Sequence, residues 1–293
     1  MKIGSKTVAK DSIFWPKPSV NIKGSIYNFK DPLIMGILNI TPDSFYDGGR
    51  YEEAGSIFQQ MKKMVNEGAD IIDIGASSSR PGAAVISSKE EMARLSPALK
   101  MLKENFPETI ISVDSYYSET AKAAADLGTD MINDISGGSL DPLMAETMAK
   151  LGLPYVMMHM QGNPQNMQQS PKYKNLIAEI CYYFSEKIKA FEDAGVNDII
   201  LDPGFGFGKT LEHNYKLLAQ LEEFLIFQKP ILAGISRKSM IYKLLESTPE
   251  EALIGSTVAN TLALTKGAHI LRVHDVKAAK EASKIVTFTQ NLN

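Results

Sequence analysis

The apolar run Asp198-Ile-Ile-Leu201 ends in a carboxylate and opens into Asp202-Pro-Gly-Phe-Gly-Phe-Gly-Lys209. Alternating glycines let backbone approach a ligand without side-chain interference, and Phe205 and Phe207 offer flat apolar surface beside it. Such a stretch describes a pocket. A nucleotide site does not fit, because a phosphate loop needs glycine where Pro203 stands and a dinucleotide fingerprint needs glycine at Lys209. Taken alone, the stretch also reads as a glycine-rich turn with no ligand, so its neighbours have to decide.

Comparable chemistry follows other apolar runs. Asn39 begins Asn39-Ile-Thr-Pro-Asp-Ser-Phe45, and Asp73 begins Asp73-Ile-Gly-Ala-Ser-Ser-Ser-Arg-Pro-Gly82. Further along come Asp114-Ser115, Asn133-Asp134, Met158-His159, Ser236-Arg-Lys238 and Arg272-Val-His274-Asp275. Each has a bland reading: a lone Asp caps the next helix, Lys238 is a solvated helix start, His159 is a satisfied core histidine. Convergence favours the functional one. Asp114, Asn133, Asp202 and Lys238 would face one opening, and burying so many polar groups costs several kcal/mol unless a ligand or one another satisfies them. Arg272 and His274 alternate along a strand and should present two cationic or donor groups on one face.

The elements that must position these groups repeat as apolar run, loop and amphipathic helix. Eight strands are predicted: Leu33–Leu38, Ile71–Ile74, Ile110–Val113, Met131–Ile132, Pro154–Met158, Ile199–Leu201, Pro230–Ala233 and Ile270–Val273. Their near-continuous apolarity implies a parallel sheet covered on both faces. The helices between them are predicted over Tyr51–Glu67, Lys89–Asn105, Ser118–Leu127, Asp141–Leu151, Leu176–Ala194, Leu211–Leu225, Lys238–Glu246, Pro249–Lys266 and Val276–Thr289, with Gly68, Gly128, Gly152, Gly195 and Gly267 placed as C-terminal stops. Eight such units point to an α/β fold, a (β/α)8 TIM barrel over a single domain 1–293, with residues 1–30 adding a short N-terminal β-hairpin. A doubly wound open sheet is the alternative.

Length and composition agree with one soluble barrel: 293 residues, 44% hydrophobic, 22% charged. The net charge of −3 supplies no basic field for nucleic acid. A single cysteine, Cys181, excludes an internal disulfide and suits a reducing cytoplasm. No signal-peptide core is evident, and no run approaches the ~20 apolar residues that span a bilayer.

From about Leu33 to Asp275 the chain resembles dihydropteroate synthase, on Met35-Gly-Ile-Leu-Asn-Ile-Thr-Pro-Asp-Ser-Phe45, Asp202-Pro-Gly-Phe-Gly-Phe-Gly-Lys209, Ser236-Arg-Lys-Ser-Met240 and Arg272-Val-His-Asp275. The resemblance implies condensation of 7,8-dihydropterin-6-ylmethyl pyrophosphate with p-aminobenzoate to give 7,8-dihydropteroate and pyrophosphate in folate biosynthesis, with Mg²⁺ as cofactor and a homodimer as partner state. It assigns Asp114, Asn133, Met158, Asp202, Lys238 and Arg272 to the pterin, and Phe45, Ser79, Arg80, Pro81, Phe207 and Ser236 to p-aminobenzoate. Asn39, Arg272 and His274 go to the pyrophosphate, Asn39 through the metal. With Lys238, these three would carry the catalysis. One loop departs from the family pattern: Ser77 and Ser79 stand where glutamate and threonine are usual. Two rival readings are a methyltransferase acting on methyltetrahydrofolate and a non-catalytic folate-binding protein. The first has no need of the pyrophosphate set, and the second should not release pyrophosphate when p-aminobenzoate is added.

Overall fold

The computed structural model describes residues 18–40, 50–76, 86–163, 167 and 171–292. Strands β1 (Val20–Ile22) and β2 (Ser25–Tyr27) pair antiparallel around Lys23 and Gly24, whose φ values of 53° and 75° suit a tight hairpin turn. The first part of the expected 1–30 extension, residues 1–17, lies outside the described residues.

The barrel strands are β3 (Leu33–Asn39), β4 (Ile71–Gly75), β5 (Ile110–Asp114), β6 (Met131–Asp134), β7 (Tyr155–Met158), β8 (Ile199–Asp202), β9 (Leu232–Ala233) and β10 (Ile270–Val273). Between and after them run α1 (Arg50–Asn66), α2 (Ser88–Asn105), α3 (Ser118–Asp126), α4 (Met144–Leu151), α5 (Leu176–Asp193), α6 (Leu211–Ala219), α7 (Ser239–Leu244), α8 (Leu253–Thr265) and α9 (Val276–Gln290). All seven strand pairings are parallel, in the order β8-β7-β6-β5-β4-β3-β10-β9, and a single bridge between Leu201 and Ile231 joins the two ends. This closure excludes the doubly wound alternative. The five glycines placed as helix stops all have positive φ. The helix expected from Leu211 to Leu225 instead ends at Ala219 and continues as a 3₁₀ segment, Leu221–Phe227. Its apolar residues Leu221, Phe224 and Phe227 recur every third position, which suits three residues per turn.

Period two along the strands sorts the barrel into tiers. The bottom tier takes one apolar residue from each strand: Met35, Ile71, Ile110, Met131, Val156, Ile200, Leu232 and Ile270. Val20 and Ile22 of the hairpin, both within 1% of full burial, pack under this ring and close the floor. Lys23 fastens the hairpin through Thr109 O at 2.7 Å and Asp130 at 3.2 Å. Water is thereby excluded from below, and any ligand must enter from above.

Candidate active site

Two residues further along each strand, the inward tier becomes Ile37, Asp73, Ser112, Asn133, Met158, Asp202, Gly234 and Arg272. Another step reaches Asn39, Gly75, Asp114, Ser236 and His274 at the mouth. Most of the predicted site residues that the structure describes therefore arise from one geometric rule: they sit one and two tiers above an apolar floor, while Phe207 and Lys238 come from the loops that follow β8 and β9.

At the centre, Arg272 bridges two carboxylates. Its Nε donates to Asp73 Oδ2 at 2.6 Å and a terminal nitrogen donates to Asp114 Oδ2 at 2.7 Å. Asp73, fully buried, also accepts from Asn133 Nδ2 at 3.0 Å and Ser112 Oγ at 2.6 Å. The sequence reading assigned Asp73 no role. Its signal was a lone charge inside the apolar run Ile71-Ile-Asp-Ile74, where a buried carboxylate needs partners. Burial works against the charge of Arg272, but Asp73 and Asp114 outweigh it and hold the guanidinium proton more tightly than usual. Two acids share one arginine, and the balance shows at Asp114. Burial pushes its carboxyl up to about 7, Arg272 opposes the rise, and Asp73 and Glu91 add to it.

Asp202 ends β8, buried, with Oδ1 accepting from Gly204 N at 2.8 Å. The cap of α6 is Thr210, so the bland reading of Asp202 as a helix cap fails. Burial raises its pKa against the pull of Lys238. Lys238 Nζ donates to Phe205 O at 2.5 Å and lies 4.6 Å from the centre of the Phe207 ring. Burial lowers its pKa to about 8, with Asp202 opposing. Gly234 explains the space between these groups. A Cβ there would lie 3.7 Å from Lys238 Nζ, 3.8 Å from Asp202 Oδ2 and 3.9 Å from Arg272 Cβ, filling the room the three surround.

Around the mouth, Asn39 is exposed at the end of β3. Ser236, buried, accepts the backbone N–H of His274 and contacts its Nδ1, each at 3.2 Å. Enclosure of its inner side, and then the Arg272 charge, push the His274 imidazole down to about 4, so of the two cationic or donor groups expected on this face His274 is the neutral one. Met158 and Phe207 form one apolar wall with Ile135 and Met167. Arg237, between two mouth residues, has φ 54° and turns away to clamp Asp275 through two bonds of 2.8 Å. Phe45, Ser79, Arg80 and Pro81, with the departure at Ser77, lie outside the described residues.

A family model described as "Pterin binding enzyme" matches residues 35–274. Escherichia coli dihydropteroate synthase is 47% identical over 269 residues, covering 91% of this chain and 95% of the relative. The Haemophilus influenzae enzyme is 43% identical, over 89% and 94%. Among solved structures, Yersinia pestis dihydropteroate synthase in a sulfonamide drug complex superposes with TM-score 0.87 at 43% identity, covering 93% of this chain and 99% of that one. Xanthomonas albilineans dihydropteroate synthase with 4-aminobenzoic acid gives 0.85 at 37% identity, covering 94% and 98%.

Proposed function

This chain belongs to the dihydropteroate synthase family of pterin-binding enzymes, and on that premise we propose how its own residues carry the reaction. It is a transferase that condenses 7,8-dihydropterin-6-ylmethyl pyrophosphate with p-aminobenzoate, releasing pyrophosphate and forming 7,8-dihydropteroate in folate biosynthesis. The observation that carries the reading is the polar cluster over a dry floor: Asp202, Lys238 and Arg272 around the space left by Gly234, with Asp73, Asp114 and Asn133 bonded behind Arg272.

A pterin edge shows adjacent N–H donors and a carbonyl. Asp202 accepts from the donors, Lys238 donates to the carbonyl, and Asn133 and Asp114 complete the edge. The Arg272 guanidinium, held in place by its two acids, covers the ring face. Met158 and Phe207 give apolar contact. Bond breaking comes first, because the electron-rich dihydropterin delocalises the cation left behind, so stabilising the leaving group is the main task. Asn39, Arg272 and His274 surround that charge. Anionic phosphate beside His274 favours its protonated ring, so the imidazole gains its proton with the substrate. Phe45, Ser79, Arg80, Pro81, Phe207 and Ser236 receive p-aminobenzoate.

Release of pyrophosphate on mixing the dihydropterin pyrophosphate with p-aminobenzoate tests the reading. Pterin binding without release would leave only a folate-binding protein.

Mg²⁺ fits as an ion carried largely by the substrate. Among the described residues no three His, Cys, Asp or Glu side chains are placed to hold a metal, and Asn39 offers a neutral amide oxygen, a weak ligand that phosphates would complement. When bound, the ion shields charge growing on the pyrophosphate. Titration of the free protein with Mg²⁺ should show no tight site, and inorganic pyrophosphate should create one. A tight site without pyrophosphate would refute this role.

Pterin binding should also depend on pH. The folded pKa of Asp114, about 7, lies above its ordinary value, so the free site keeps a proton below that pH which a ligand N–H must displace. Affinity for the pterin alcohol should fall as pH drops through this value, and at about pH 6.5 binding should release a proton into buffer. Calorimetry in buffers of different ionisation enthalpy reads this directly, and no proton release would refute it.

We place a second copy of this chain on the apolar face made by Leu244 and Leu245, by Ile254, Val258 and Leu262 of α8, and by Ile285 and Phe288 of α9, all exposed. Sedimentation should give a homodimer that Val258→Asp weakens; a monomeric parent protein would contradict it. One half-buried cysteine, Cys181, suits the cytoplasm.

A further inference from the structure

We propose that Lys209 is a positioning residue for the pterin site: an internal ammonium around which the loop from Asp202 is wound, so that the loop presents its outer groups to Lys238 and Asp202. Lys209 is only 4% exposed. Among the described residues no carboxylate lies within ion-pair distance of it. Its donors go instead to Gly204 O at 2.9 Å, Phe207 O at 3.0 Å and His159 Nδ1 at 3.0 Å, with His159 O further away at 3.5 Å.

Those acceptors explain the loop's composition. Gly204, Gly206 and Gly208 have φ of 73°, 81° and 60°, a left-handed backbone that lets the chain curl about one point. A Cβ on Gly204 would fall 1.9 Å from His159 O, so the β8 loop is pressed against the end of β7. The carbonyls of Gly204 and Phe207 turn inward to Lys209, whereas that of Phe205 turns to Lys238 Nζ, and Gly204 N is given to Asp202 Oδ1. The loop is thus a spacer between a sealed ammonium and an open one.

Burial lowers the Lys209 pKa to about 7, with Asp202 opposing, but the carbonyls of Gly204 and Phe207 and the His159 ring nitrogen match the three donors of the ammonium; in that form Nδ1 of His159 accepts, which leaves the ring neutral with its proton on Nε2. Burial and the Lys209 charge hold this imidazole well below its usual pKa, in agreement. Removing the ammonium would strand two buried carbonyls and a ring nitrogen, and the nearest relief is for the loop to move, taking the partners of Lys238 and Asp202 with it.

This inference rests on the pterin-binding reading above, and the experiment separates the two. Calorimetry with the dihydropterin alcohol is run first on the unaltered protein, where absence of binding defeats that reading itself. Given binding, Lys209→Met, matched in length, should lower affinity about tenfold or more in folded protein. In Lys209→Ala, propylammonium, but not propanol, should restore affinity saturably, a rescue that a merely packing role does not produce. Full affinity in Lys209→Met, or no rescue of a folded Lys209→Ala, overturns the proposal. If neither variant folds, ¹⁵N spectra of the unaltered protein decide: protonated Nε2 and an accepting Nδ1 at His159 support it, and the opposite tautomer overturns it.

Discussion

Asp202→Asn is expected to fold normally and to lose dihydropterin affinity by about a hundredfold or more, since a buried charged hydrogen-bond partner is worth roughly 2–5 kcal/mol and each ~1.4 kcal/mol is tenfold. The structure indicates which oxygen matters. Oδ1 accepts from Gly204 N, and an asparagine oxygen can keep that bond and the loop turn with it. Oδ2 faces the space beside Gly234, and there the variant places an NH₂ group. Against a pterin edge of N–H donors, donor then meets donor and the negative charge is gone. A helix-capping role would leave affinity unchanged, because asparagine caps as well as aspartate. Titration of folded Asp202→Asn with the pterin pyrophosphate decides, and near-normal affinity would refute the part given to this strand end.

Arg272→Met should be damaging in a different way. It removes the guanidinium shared by Asp73 and Asp114, and leaves two carboxylates close together in a dry barrel. Breaking a buried pair typically costs about 3–5 kcal/mol, and this loss should appear in denaturant unfolding near neutral pH. The pH dependence identifies the cause. Arg272 is what opposes the upward shift at Asp114, so without it the folded pKa moves higher still. A folded pKa above the unfolded one favours the native state at low pH and loses that benefit as pH rises through it. The variant should therefore regain part of its stability on acidification from about pH 8 to about pH 6. A loss independent of pH would mean that Arg272 matters through packing of its stem. Pterin affinity should fall along with turnover, because the same guanidinium holds the pterin-facing Asp114.

The barrel was legible because its strands are uniformly apolar and end in polar residues, so the sequence alone puts Asp114, Asn133, Asp202 and Lys238 at one mouth. Asp73 opened the second quoted stretch but was given no role, because it stands inside its strand and not at the end; counting two residues up from the floor places it in the polar tier at once. Period two also put Arg272 and His274 on one face, but could not show that the Arg272 donors go to Asp73 and Asp114. Neutral His274 was equally out of reach, since its state depends on enclosure and on a cation from its own strand. Lys209 read as the failed end of a nucleotide motif, and its burial follows only from the curl of a loop with three left-handed glycines.

The barrel ladder has one thin join. Strand β9 has two residues, and where it meets β8 a lone bridge carries the closure, with Leu201 N donating to Pro230 O at 2.8 Å. Asp202 stands on one side of that join; Gly234 and Lys238 stand on the other. A pterin gripped by both therefore acts as a suture across the wall. Exchange of the Leu201 amide with deuterium should slow when the pterin alcohol is bound, more than exchange of amides in β4 or β5, and equal slowing everywhere would deny the suture. It follows that a chain cut in the connection at Gln228–Lys229 would have two edges to close, the four-residue β10–β3 pairing and this lone bridge, and a bound pterin would strengthen the second, which would make reassembly of the two fragments pterin-assisted.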